Sequence, residues 1–270
     1  MAKSILNIGD LQSGSIWALW HPQLTDIGEK TIGLNEAQKY LWECWEHFLK
    51  WVDEHPLDGI VFGGDLFEGQ QPKDGGRTLM AIDHRWQRRN LEHLLEPLKQ
   101  KPVKKYVIRG SAYHESPDDV EGIAEWLGAE KDPETGDYTF EYLFLDVEGK
   151  VINFFHEISP SVGFYVTTAL ERENMWSRIN SPKMVKRPVD YNIRFHIHQA
   201  TGVSHSATAT QICPGWQLQT KYMRRKPRSM YRMLPEIGGM ILIVNGEDNS
   251  EPFRVKKMTY DLPAYSVIPL

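Results

Sequence analysis

Two stretches of the chain, SILNIGD (residues 4–10) and LDGIVFGGD (57–65), repeat one pattern: a short apolar run stopped by glycine and followed at once by aspartate. An apolar run of this length bounded by turn residues reads as a buried strand. Helical signals follow. In NEAQKYLWECWEHFLKWVDEH, Asn35 can cap a helix with Gln38 three residues on as a capping box. Leu41, Cys44, Trp45, Phe48 and Val52 then mark one helical face. A second helix is predicted over 78–96, with Leu91, Leu94 and Leu95 inward and Pro97 near its end. KKYVIRGS (104–111) is a third strand. After it Ser116, Pro117, Asp118 and Asp119 form the cap and acidic first turn of a helix closed by Gly128. Three strand–helix units in succession predict a layered α/β sheet.

From residue 138 the texture changes to strands: YTFEYLFLD, KVINFFHEI, YNIRFHIHQ, ATATQICPG, GGMILIVN and PFRVKKMTY. The stretch 159–190 is less regular, with one helix over TALERENMWSRI, and reads as a lid or a long connection. The expected organisation is one domain over 1–270, with 221–270 a C-terminal extension of the sheet. The 270 residues are 41% hydrophobic and 25% charged, an ordinary globular composition. A net charge of −5 excludes a global basic field that would recruit nucleic acid. Two cysteines, Cys44 and Cys213, give no disulfide framework. No apolar run approaches a membrane span and the N-terminus lacks a signal-peptide pattern, so a cytoplasmic protein with no membrane partner is expected.

In open α/β sheets, ligands bind beyond the carboxyl ends of strands. Those ends here carry Asp10, Gln12, Asp65, the Gly110–His114 turn, His156, His196 and His198. YNIRFHIHQA (191–200) reads as a strand that places His196 and His198 on one side, roughly 7 Å apart. Taken singly, each residue has a bland reading: Asp10 and Asp65 as turn residues, His156 as a hydrogen-bonded core histidine, the His pair as decoration of a surface strand. Taken together, mixed Asp and His donors suit Mn²⁺, Fe, Zn²⁺ or Ni²⁺ better than Ca²⁺.

GDLQSG, GGDLFEG, RGSAYHE, FFHEIS and FHIHQ resemble, in order, the five motifs of calcineurin-like metallophosphoesterases. The third motif and the downstream CPGWQLQT (213–220) are most similar to phage- and prophage-type members. The resemblance implies a four-layer α/β/β/α sandwich and hydrolysis of a phosphoester. It implies two divalent metal ions, Mn²⁺ first, with Fe, Zn²⁺, Ni²⁺ or Mg²⁺ as other fits. Asp10, Gln12, Asp65 and His198 would form one metal site, and Asp65 would bridge to a second holding His156 and His196. His114 resembles the family histidine that contacts the phosphate and assists the leaving group.

Three positions depart from the family pattern. Gln12 stands where histidine is usual. The third motif has no asparagine: Ser111 follows the glycine, as a substrate-contacting or weakly ligating residue, and a register that uses Tyr113 is the alternative. Phe195 replaces the glycine before the His-x-His pair. The basic segment KYMRRKPRSMYR (221–232) reads as a solvated loop or as a groove for a nucleic-acid backbone. Two alternatives to the phosphoesterase follow: a catalytically degenerate binding module of the same fold, or a nucleic-acid-binding protein that uses 221–232.

Overall fold

The computed structural model describes residues 2–27, 30–72, 75–158, 165–205, 208–220, 234–248 and 250–263. The first half alternates as read from the sequence: β1 (Lys3–Ile8), α1 (Glu36–Asp53), β4 (Gly59–Phe62), α2 (His84–Lys99), β5 (Lys104–Ile108) and α3 (Pro117–Leu127), with a small hairpin of β2 (Asp26–Ile27) and β3 (Lys30–Thr31) after β1. The second half runs β6 (Thr139–Phe140), β7 (Leu143–Val147), β8 (Lys150–Phe155), α4 (Val166–Met184), β9 (Tyr191–Arg194), β10 (Gly202–Ser204), β11 (Ala209–Ile212), β12 (Ile237–Val244) and β13 (Phe253–Tyr260).

Two mixed sheets result, with strand orders β13-β12-β1-β4-β5-β6 and β10-β11-β9-β8-β7. In the first, β1, β4, β5 and β6 are parallel. In the second, β8, β9 and β11 are parallel. Side-chain alternation sorts the cores. Leu6, Ile8, Ile60, Phe62 and Val107 face α1, α2 and α3, while Ile5, Val61 and Ile108 face the second sheet. That second sheet sends Ile152, Phe154, Ile193 and Phe195 into the same inter-sheet core, and its outer face packs Ile212 against Leu170 of α4. The layers are therefore helices, sheet, sheet, helix: the α/β/β/α sandwich that the motif resemblance implies. Strands buried on both faces explain why β1 and β4 read as continuous apolar runs.

Local signals hold well. Asn35 and Gln38 form the capping box of α1, whose buried face includes Leu41, Cys44, Trp45, Phe48 and Val52. Ser116 caps α3, and Gly128 ends it in a left-handed conformation. Three expectations need correction. α2 starts at His84 and not at 78, because Asp83 caps it by accepting the Arg85 N–H. YTFEYLFLD is not one strand: Phe140 and Leu143 both face the inter-sheet core, and residues three apart cannot share a face of one strand. The chain instead switches sheets at Glu141–Tyr142. Finally, β9 ends at Arg194. The Ile197 N–H donates to the Phe195 carbonyl at 2.9 Å, closing a tight turn around His196, so His196 and His198 do not lie on a strand face. The basic segment 221–232 lies outside the described residues, as do residues 159–164 of the expected lid. Among the described residues no helix is long and apolar enough to cross a membrane.

Candidate metal centre

Every predicted ligand lies just past the carboxyl end of a strand: Asp10 and Gln12 after β1, Asp65 after β4, His156 after β8, His196 and His198 after β9. Among the described residues, the non-glycine residues with positive φ are Asp10, Gln12, Asp65, Gln71, Glu148, Lys186, His196 and His198. Most of this short roster is the ligand set read from the sequence. Left-handed backbone is costly for such residues and clusters at functional sites. Close packing holds the loops in place. A Cβ on Gly64 would lie 2.6 Å from the backbone of Gly110, so the loops after β4 and β5 touch main chain to main chain.

The structure brings Asp65, His156 and His196 into one cluster, with ligand atoms within 4.8 Å of one another. His156 Nε2 lies 3.1 Å from Asp65 Oδ2 and 3.2 Å from His196 Nδ1. His156 Nδ1 sits 2.7 Å from the Gly63 carbonyl. That bond commits Nδ1 as the donor and leaves Nε2 to face the cluster. Asp10 and His198 form a second pair, with Nε2 3.3 Å from Oδ1. The other Asp10 oxygen accepts the His196 backbone N–H at 3.0 Å. Gln12 reaches the first group, its Nε2 3.4 Å from Asp65 Oδ2. Asp10, Gln12, Asp65, His156 and His198 are buried; the His196 side chain keeps 40% of its surface exposed.

Electrostatics tie the cluster together. Burial works against the Asp65 carboxylate, but the His156 charge and hydrogen bonds from His156 and His196 outweigh it and hold the carboxyl well below its ordinary range. Burial likewise opposes the His156 cation, yet Asp65, then Asp10, raise its pKa to about 10. Hydrogen bonding to Asp65 raises His196 as well. A metal ion would bind such ligands by displacing their protons.

These residues fit a divalent cation. Gln12 Oε1, Asp10 Oδ1 and His198 Nδ1 are buried atoms without a hydrogen-bond partner. Two imidazole nitrogens facing each other at 3.2 Å leave room for one proton at most between them. Carboxylate with imidazole is a donor set for Mn, Fe, Zn or Ni.

His114 stands on the rim, half-buried, with Nδ1 2.9 Å from the Glu68 carbonyl and 3.5 Å from Gln71 Nε2. Ser111 is turned inward: its N–H and hydroxyl both donate to Asp65 Oδ1, at 2.7 and 3.0 Å. Phe195, in place of the family glycine, is fully buried and occupies the space above Gly9 and Gly63.

Two acidic residues were missed from sequence. Glu115 is buried and accepts the N–H groups of Leu66 and Gly110, both at 2.6 Å, clamping the two loops that flank Asp65. Burial first, then the Asp65 charge, raise its pKa. Glu68 accepts Gln217 Nε2 at 2.8 Å through its carboxylate, and its carbonyl anchors His114. Both lie within quoted motifs, GGDLFEG and RGSAYHE; their acidic positions were the available signal.

No family model matches the chain, and no curated protein matches it. Solved structures similar in chain path include wild-type Vps29 complexed with Zn²⁺ from Entamoeba histolytica, at 12% identity over 96% of this chain and 99% of that one, with a TM-score of 0.41. An archaeal phosphodiesterase shows 7% identity over 94% and 99%, with a TM-score of 0.42. A predicted phosphoesterase from Streptococcus pneumoniae shows 10% identity over 96% and 99%, with a TM-score of 0.38. Likeness this loose transfers neither residue roles nor activity to this chain.

Proposed function

We propose that the chain is a metal-dependent phosphoesterase of the calcineurin-like class that hydrolyses phosphodiesters, nucleic acid among them. The observation that carries the reading is the convergence of Asp65, His156 and His196 from three separate strand ends onto one point. The ordered motifs support it, and the third motif with CPGWQLQT supports the phage- and prophage-type subclass. Asp65, His156 and His196 would hold one cation; Asp10, Gln12 and His198, with Asp65 shared, would hold the other. Bound divalent ions supply Lewis acidity toward phosphoryl oxygens and acidify a water. Around them the protein's own groups act. Ser111 and Glu115 hold Asp65 and its loops fixed, so the carboxylate needs little rearrangement. His114, with Nδ1 on the Glu68 carbonyl, keeps Nε2 to hold or deliver a proton at the leaving oxygen.

The test is hydrolysis of bis-p-nitrophenyl phosphate across Mn²⁺, Ni²⁺, Zn²⁺ and Mg²⁺, beside the metal content of the purified protein. Asp65→Asn should abolish turnover, because it weakens the one carboxylate shared by both groups. Activity within about threefold of wild type at saturating Mn²⁺ would contradict the assignment.

A second reading, a catalytically silent binding module, is favoured by Gln12, which turns its amide nitrogen toward Asp65 where the family pattern has an imidazole. Metal uptake without turnover in the same assay would select it.

A further inference from the structure

Resting on the phosphoesterase reading, we infer that the substrate is a single-stranded nucleic acid, guided to the metal centre by an aromatic and basic track along the outside of the second sheet. Tyr142, at the switch between sheets, stacks on Phe155 with ring centroids 4.5 Å apart and planes 21° apart. Phe155 is bonded directly to His156. Tyr142 is 53% exposed, so part of its ring stands open to solvent.

The track continues onto α4. β8 and β9 are parallel, so the crossover helix between them runs back from the site, and its N-terminal end lies at the ligand edge. Arg172, Trp176 and Lys183 follow at spacings of four and seven residues, which puts them on one stripe of the helix, and Tyr165 is its N-cap residue. Tyr165 is 70% and Trp176 54% exposed. Glu173 lies one turn from Trp176, and its carboxylate accepts from Arg194 at 2.9 Å. The Arg194 guanidinium in turn lies 5.9 Å from the Phe155 ring centroid. Direct contacts therefore link the Trp176 flank to the Tyr142 stack.

Charge fits a polyanion. Of the carboxylates on this part of α4, Glu173 is paired with the Arg194 guanidinium and Glu171 meets the His205 ring. Lys183 Nζ donates to the neutral Asn180 amide at 3.2 Å, so its charge is not offset there. Among the described residues, the exposed aromatic rings are Tyr113, beside His114, and then Tyr142, Tyr165 and Trp176. Exposed rings interleaved with cations are how proteins hold single strands, whose base faces are free to stack, while duplex bases already stack on each other.

The experiment is anisotropy of a labelled oligothymidylate of about a dozen nucleotides in EDTA, so that binding is read without turnover. Tyr142→Ala and Trp176→Ala should each weaken binding about tenfold, and Lys99→Ala on the opposite outer layer should leave it unchanged. A duplex of equal length should bind more weakly than the single strand. Undiminished binding in both ring variants, or equal affinity for the duplex, overturns the inference. Both rings are exposed, so their removal does not threaten the fold. Turnover of bis-p-nitrophenyl phosphate without ring-dependent oligonucleotide binding overturns the track and keeps the phosphoesterase reading. Ring-dependent binding without turnover keeps the track and sinks that reading.

Discussion

The Phe195 ring fills the space that a side chain on Gly63 would need. A fully buried ring thus sits over the loop that carries Asp65, at the position where the family pattern has glycine. The two residues form a matched pair, which predicts coupling. Gly63→Ala should destabilise by about 1–3 kcal/mol through overpacking. Phe195→Ala should cost about 3–5 kcal/mol through the cavity it leaves. Combined, they should cost clearly less than the sum, as measured by urea unfolding in a double-mutant cycle. Strict additivity would show that the ring does not set the loop's position.

Glu115 gives the second expectation. Its carboxylate is the acceptor for the Leu66 and Gly110 N–H groups. Glu115→Ala leaves the buried Leu66 N–H without its partner, at about 1–3 kcal/mol, and the half-buried Gly110 N–H at a smaller cost. The loop carrying Asp65 should loosen with them, so Mn²⁺ affinity by calorimetry should fall along with stability. Stability lost with unchanged Mn²⁺ affinity would confine Glu115 to a structural role.

A pH dependence arises away from the site. The His21 ring stacks on His93 at 5.1 Å, meets the edge of Trp42 at 4.7 Å, and accepts the Gln23 N–H at Nδ1. Burial, then the His93 charge, lower its pKa from 6.5 to about 4. Between those values the unfolded chain binds a proton that the folded chain refuses, so protonation favours unfolding. The contribution of a neutral His21 is complete above pH 6.5, and it declines as pH falls toward about 4. Urea midpoints taken from about pH 7 down to about pH 4.5 should fall less steeply in His21→Gln than in wild type. Parallel slopes would remove His21 from the acid response.

What was legible in the sequence was mostly local. The α1 cap and its buried face follow from residues a few positions apart, and so does the Ser116–Gly128 helix. The candidate cluster was legible for a different reason: ordered motifs report chain positions even when conformation is unknown. Conformation at those positions was not legible. A left-handed His196 is fixed by its turn and by the Asp10 carboxylate on its N–H, a contact between residues 186 positions apart. The Glu115–Leu66 bond and the Tyr142 stack escaped for the same reason, since those partners arrive only through sheet topology. The sheet switch at 141–142 was visible only as an apolar spacing that one strand could not satisfy.

His114 should act on proton transfer and not on metal binding. Its Nδ1 is held by the Glu68 carbonyl, and no ligand of the cluster depends on it for a hydrogen bond among the described residues. His114→Ala should lower kcat about 10²-fold or more while metal stoichiometry stays constant. Loss of an ion in that variant, by elemental analysis, would make it a ligand instead.

Gln12 sets the last expectation. Its Nε2 donates to Asp65 while Oε1 is buried without a partner. The anionic Asp65 carboxylate attracts the amide N–H; a cation held there would favour the opposite end of the amide, Oε1. An amide oxygen is a harder and weaker donor than imidazole, so the site shared by Asp10 and His198 should prefer Mn²⁺ or Mg²⁺ to Zn²⁺ and empty first. Activity should then rise in two phases as Mn²⁺ is added, the second well beyond the level that fills the His156–His196 site. Gln12→His should move that second phase to lower metal concentration, because it restores the nitrogen donor. Calorimetric Mn²⁺ titrations of the two proteins decide the point: superimposable curves would mean that Gln12 serves only to orient Asp65 and never meets the ion.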